Sequence, residues 1–118
     1  MCLSTEAELD WAGVPELGSR AEAYGLSYRW LPVPDQGTCS LSEAVDLVWW
    51  CRDGLKRGES VVVTCMGGLG RSGMIAACTL VDVGVSSTAA IAAVRAARGP
   101  RARETSGQEE LVSTFAAS

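Results

Sequence analysis

Ser60-Val61-Val62-Val63-Thr64-Cys65-Met66-Gly67-Gly68-Leu69-Gly70-Arg71-Ser72 is the stretch on which the reading of this chain turns. Ser60 to Thr64 is a short β-branched run that reads as a buried strand. Cys65 to Arg71 is rich in glycine and reads as a turn, and Ser72 to about Asp82 returns to helical composition. A strand that runs through a glycine turn into a helix gathers inward-pointing backbone N–H groups at the positive end of the helix dipole, and such a junction holds phosphate. The same field stabilises a thiolate. Beside arginine at a helix N-terminus, cysteine pKa values fall from about 8.5 to roughly 3.5–7.5. The chain has no histidine, so Ser-His-Asp and Cys-His mechanisms are excluded and Cys65 has to be activated by the loop itself.

Arg71 closes the loop six residues after Cys65. Its planar fork can hold two phosphoryl oxygens, which a lysine point charge cannot do. Ser72 is placed to donate its hydroxyl to the cysteine sulfur. A Walker-type nucleotide loop would end in Gly-Lys-Ser/Thr, whereas here Gly70-Arg71-Ser72 follows a cysteine-headed turn. The other four cysteines, Cys2, Cys39, Cys51 and Cys78, read as buried structural thiols.

Outward from this stretch the elements alternate. Met1 to Ser4 is a short strand candidate, and Thr5 with Glu8 forms a capping-box pattern that opens a helix. Pro15 fits the first turn of a second helix reaching about Tyr24. Leu26 to Val33 has strand composition, ended by Pro32 and Pro34, and Pro34-Asp35-Gln36-Gly37 is a loop. Ser40 or Ser42 caps a helix to about Lys56, with Leu41, Ala44, Val45, Val48 and Trp49 on one face. Thr88 to Arg98 and roughly Ser106 to Phe115 are the last helices, separated at Gly99-Pro100. This order predicts an α/β fold, with a central, mostly parallel sheet flanked by helices.

With 118 residues the chain is expected to form one domain, residues 1–118. A net charge of −4 argues against a nucleic-acid partner. Met74 to Val85, the longest apolar run, is too short to span a bilayer and contains Asp82. The acidic first thirty residues do not resemble a secretory signal, and the odd cysteine count does not suit a disulfide framework, so a cytoplasmic location is expected. No metal and no cofactor is called for.

The segment Cys65-Met66-Gly67-Gly68-Leu69-Gly70-Arg71-Ser72 resembles the Cys-x5-Arg-Ser/Thr signature of cysteine-dependent protein tyrosine phosphatases. It is most similar to the dual-specificity branch, in the form found in kinase-associated phosphatases. Pro34-Asp35-Gln36-Gly37 resembles that branch's general-acid loop, and Glu104-Thr105-Ser106-Gly107-Gln108 resembles the lead into its last helix. The resemblance implies hydrolysis of phosphotyrosine, with phosphoserine and phosphothreonine as further targets, in a phosphorylated protein partner. It implies a phosphocysteine on Cys65, a clamp at Arg71, and an acid and then base at Asp35. Ser72 assists the thiolate, and Met66, Gly67, Gly68, Leu69, Gly70 and Gln108 contact the phosphate or water.

Read from the residues alone, Asp35 between Pro34 and Gly37 is more often a turn former, and Gln108 either positions water or completes a capping box with Thr105. Thr64 stands where the family has histidine, and the chain is expected to be shortened at its N-terminus. The alternative is therefore a weakly active or inactive pseudophosphatase that binds phosphorylated partners. A shortened N-terminus would also leave a sheet edge that a homodimer could cover.

Overall fold

The structure is a computed structural model and describes residues 1–66, 70–99 and 105–118. Six helices occur among the described residues: α1 (Glu6–Trp11), α2 (Leu17–Ala23), α3 (Leu41–Lys56), α4 (Gly70–Asp82), α5 (Ser87–Arg98) and α6 (Ser106–Ala117).

Local chemistry starts most of them. Thr5 and Glu8 make a full capping box at α1, Ser40 and Glu43 do so at α3, and Thr105 and Gln108 at α6. Ser86 caps α5 by accepting from the Ala89 N–H. α4 is the axis of the molecule and packs against α3, α5 and α6. Its small residues allow close approach, and Met74, Ile75, Ala77 and Cys78 are completely buried. Ala44, Leu47, Val48 and Cys51 of α3 and Val112 of α6 complete the centre of the core.

Trp49 is not on the buried face of α3 as its sequence position suggested. It is half exposed, and the Arg52 guanidinium stands 5.4 Å from its ring centroid. One helical step from Val48 is about 100° of rotation, which carries Trp49 off the stripe that Ala44, Leu47, Val48 and Cys51 share.

The expected central parallel sheet is not present, because none of the described residues forms a strand. Two isolated parallel bridges take its place, Cys2 with Trp30 and Cys2 with Thr64. Cys2 N donates to Arg29 O at 2.8 Å and Leu31 N to Cys2 O at 3.1 Å. On the other side Leu3 N donates to Thr64 O at 2.8 Å and Thr64 N to Met1 O at 2.9 Å. The reason lies in the segments themselves. Val33 N still donates to Leu3 O at 3.0 Å, but the chain then enters the Pro34–Gly37 turn, and Thr5 already turns the first segment into α1. Pairing therefore stops after a few bonds, and helices supply most of the burial. The homodimer expectation, which depended on a sheet edge, loses that premise.

Candidate active site

Two extended segments and the start of α4 define the site. Thr64, aligned by Met1 and Leu3, delivers the chain to Cys65, and α4 begins at Gly70, two residues earlier than its composition suggested. Arg71 and Ser72 thus occupy the first turn of α4, where backbone N–H groups have no helical acceptor. Cys65 Sγ lies 3.5 Å from Ser72 Oγ, so thiol and hydroxyl are within hydrogen-bond reach. Gly67, Gly68 and Leu69, expected phosphate contacts, and Glu104, part of the resemblance, lie outside the described residues. Met66 is half-buried next to Cys65.

Arg71 is only 2 % exposed, and a buried guanidinium needs partners. Glu8 supplies them: Arg71 Nη1 donates to Glu8 Oε1 at 2.6 Å and Nη2 to Oε2 at 2.8 Å. Nη1 also donates to the Val33 carbonyl at 2.9 Å. Glu8 thereby takes the Nη1–Nη2 end of the fork, and the Nε–Nη2 side is the edge that a phosphate could use bidentately. The paired guanidinium pulls the Glu8 carboxyl down to about 2, helped by hydrogen bonds from Thr5.

Sequence reasoning saw Glu8 only as the cap of α1. Its Oε1 does accept from the Thr5 N–H at 2.9 Å, and this bond fixes the carboxylate that aims Arg71. The only signal was chemical, since an arginine brought inside requires a carboxylate. With Glu6, Glu8, Asp10 and others available, sequence order did not single one out.

Asp35 sits in the turn after the second extended segment, with Oδ1 3.7 Å from Arg71 Nη2 and its side chain 77 % exposed. The turn is closed by Gly37 N donating to Pro34 O at 2.8 Å, and Gln36 adopts φ 62°, uncommon for a residue with a Cβ. Gln108 is buried at the start of α6. Its capping-box bond with Thr105 is present, and its Nε2 donates to Gly37 O at 2.9 Å.

Thr64 Oγ1 donates to Met1 O at 3.3 Å, a bond to neighbouring backbone. Among the other cysteines, burial pushes the thiols of Cys39 and Cys78 up to about 11 and about 12 and raises that of Cys51, which keeps them protonated at neutral pH. Cys2, Cys51 and Cys78 are buried as expected, while Cys39 is half-buried. No helix among the described residues is long and apolar enough to cross a membrane.

Residues 1–93 match the family described as cyclin-dependent kinase inhibitor 3. The rat protein of that name is 32 % identical over 113 residues, covering 94 % of this chain and 53 % of its own length. The zebrafish protein tyrosine phosphatase domain-containing protein 1 is 37 % identical over 117 residues, 98 % of this chain and 16 % of that protein. Among solved structures, a kinase-associated phosphatase with serine substituted for its catalytic-site cysteine superposes with a TM-score of 0.89 at 28 % identity, over 97 % of this chain and 65 % of that one. Tk-PTP in its active form gives 0.87 at 29 % identity, over 98 % and 76 %. The chain spans about half the length of the kinase inhibitor 3 relatives.

Proposed function

The chain belongs to the cyclin-dependent kinase inhibitor 3 family of dual-specificity protein tyrosine phosphatases, and from that premise we propose that it hydrolyses phosphate monoesters on a phosphorylated protein through a phosphocysteine. One observation carries the reading: a buried arginine, aimed by Glu8, shares the first turn of α4 with a serine in reach of the Cys65 sulfur.

In the first step the Cys65 thiolate attacks phosphorus. The S–P bond forms, the P–O bond to the leaving group breaks, and the Asp35 carboxyl gives its proton to the departing oxygen. Arg71 follows two equatorial oxygens on its Nε–Nη2 edge, while Met66 to Gly70 offer backbone N–H groups to the third. In the second step Asp35, now a carboxylate, takes a proton from water as that water attacks phosphorus. The S–P bond breaks and the Ser72 hydroxyl donates to the returning thiolate. Inorganic phosphate leaves, and neither metal nor cofactor takes part. Residues 1–118 act as one catalytic domain, and a cytoplasmic phosphoprotein, phosphorylated on tyrosine or on serine and threonine, is the substrate. The relatives' name directs the search to cyclin-dependent kinases first.

The test compares wild type with Cys65→Ser on para-nitrophenyl phosphate. Wild type should turn over and the serine variant should retain under about 1 % of the rate while still binding phosphate, because the field that stabilises a thiolate cannot ionise an alcohol at neutral pH. Phosphate binding without turnover in wild type would replace this reading with that of a phosphate-reading module.

A further inference from the structure

The turn that bears Asp35 is held in a conformation it would not choose by itself. Gln36 at φ 62° places a side-chain-bearing residue in the left-handed region, a state that persists where surroundings over-determine it. The surroundings here are the first residues of α6. Thr105 Oγ1 donates to Gln36 O at 3.4 Å, and Gln108 Nε2 donates to Gly37 O at 2.9 Å. These are consecutive carbonyls of one turn, gripped by the two halves of one capping box.

Gln108 is 1 % exposed and both ends of its amide are engaged, Oε1 accepting from Thr105 N at 2.9 Å while Nε2 grips the turn. The amide also lies flat against the start of α4. A Cβ on Gly70 would stand 2.7 Å from Gln108 Oε1, so glycine at position 70 is what lets this contact exist. One side chain therefore touches the acid-bearing turn, the cap of α6 and the helix that carries Arg71. Water positioning in the second chemical step would need an amide directed at the phosphoryl group. Here the amide is spent on protein backbone.

We propose that Gln108 is a positioning residue that locks the Pro34–Gly37 turn, and Asp35 with it, against the N-terminus of α4. Its loss therefore slows acid-assisted cleavage of the P–O bond, which kcat/KM reports, together with the hydrolysis of the phosphocysteine, in which Asp35 acts as base. The proposal rests on the reading of Asp35 as general acid.

The two steps separate kinetically, because kcat/KM reports only events up to the first irreversible bond cleavage, whereas kcat includes the hydrolysis of the intermediate. Gln108→Met keeps the volume and removes the amide. It should lower kcat/KM for phenyl phosphate, whose leaving group needs a proton, by about 10-fold or more, the scale of a modest misplacement. For para-nitrophenyl phosphate the loss should stay within about 3-fold, and the basic limb of the kcat/KM profile should flatten. Thr105→Val, which removes the grip on Gln36, should shift both esters the same way by less.

An activity-free measurement accompanies these. Exchange of the Gly37 amide hydrogen, bonded to Pro34 O, should speed up by about 10-fold in Gln108→Met as the turn opens. If kcat/KM is intact for both esters while kcat falls and a burst of phenol or nitrophenol appears, Gln108 serves water and the proposal is overturned. Unchanged kinetics with unchanged Gly37 exchange overturns it as well. Asp35→Asn run in parallel guards the premise. Should that variant lose both esters equally, the acid reading fails by itself, and the lock is then judged by Gly37 exchange alone.

Discussion

The quartet α3 to α6 and the first thirty-three residues are built to different standards. In the quartet every helix has buried residues, and α4 is enclosed by the other three. In the first third α2 buries nothing, Trp11 and Tyr24 are 81 % and 86 % exposed, and burial is confined to Met1–Ser4, Leu9 and Val33. The site lies on the seam. Cys65, Arg71, Ser72 and Gln108 come from the well-packed side, whereas Glu8 comes from the thin side and Asp35 from the turn just past it. Chemistry that demands fixed geometry is thus rooted where local opening is costly, and the groups that aim and protonate come from segments that open more readily.

Four substitutions or conditions would break or sharpen this contrast. Ile75→Ala, in the enclosed face of α4, should cost about 2–5 kcal/mol in urea unfolding, as cavities in close-packed cores do. A loss near zero would mean that the quartet is not the structural anchor. Glu8→Ala should cost about 1–3 kcal/mol, since it strips both a cap and the partner of a buried guanidinium. It should also weaken phosphate binding, measured by inhibition with inorganic phosphate. Unaltered inhibition would remove Glu8 from the site.

The pH response should show the same pair. The Glu8 carboxyl ionises with a folded pKa of about 2 against an ordinary 4.5, so its stabilising contribution is complete above pH 4.5 and is lost as pH falls toward 2. The urea midpoint of wild type should drop across that window, and Glu8→Gln should flatten this part of the curve. Identical slopes would show that the carboxylate gains nothing from Arg71. Smallest of all, Trp11→Gln should change stability by less than about 0.5 kcal/mol, because a side chain already in water has little to lose. A large effect would mean that the first third is better supported than its exposure indicates.

How far the sequence could be read follows the same seam. Capping pairs and apolar periodicity are local, and they located the six helices of the described residues to within about three residues. The sheet failed because strand composition in Leu26–Val33 and Ser60–Thr64 speaks to a residue's fit on a pleated surface and not to the number of partners it meets. The turn that begins at Pro34 and the early turn into α1 left too few. Glu8 was hidden because its contact with Arg71 joins residues 63 apart in the chain. Gln108 was open between two roles, and its bond to Gly37 O belonged to neither.

The capping box at α1 has a thermodynamic consequence. One carboxylate both closes the first turn of that helix and orients the guanidinium, so fraying of α1 and reorientation of Arg71 are a single equilibrium. By linkage, an oxyanion that selects the oriented arginine must tighten the start of α1 by the same free energy. The amide protons of that short helix become reporters of a ligand they do not touch.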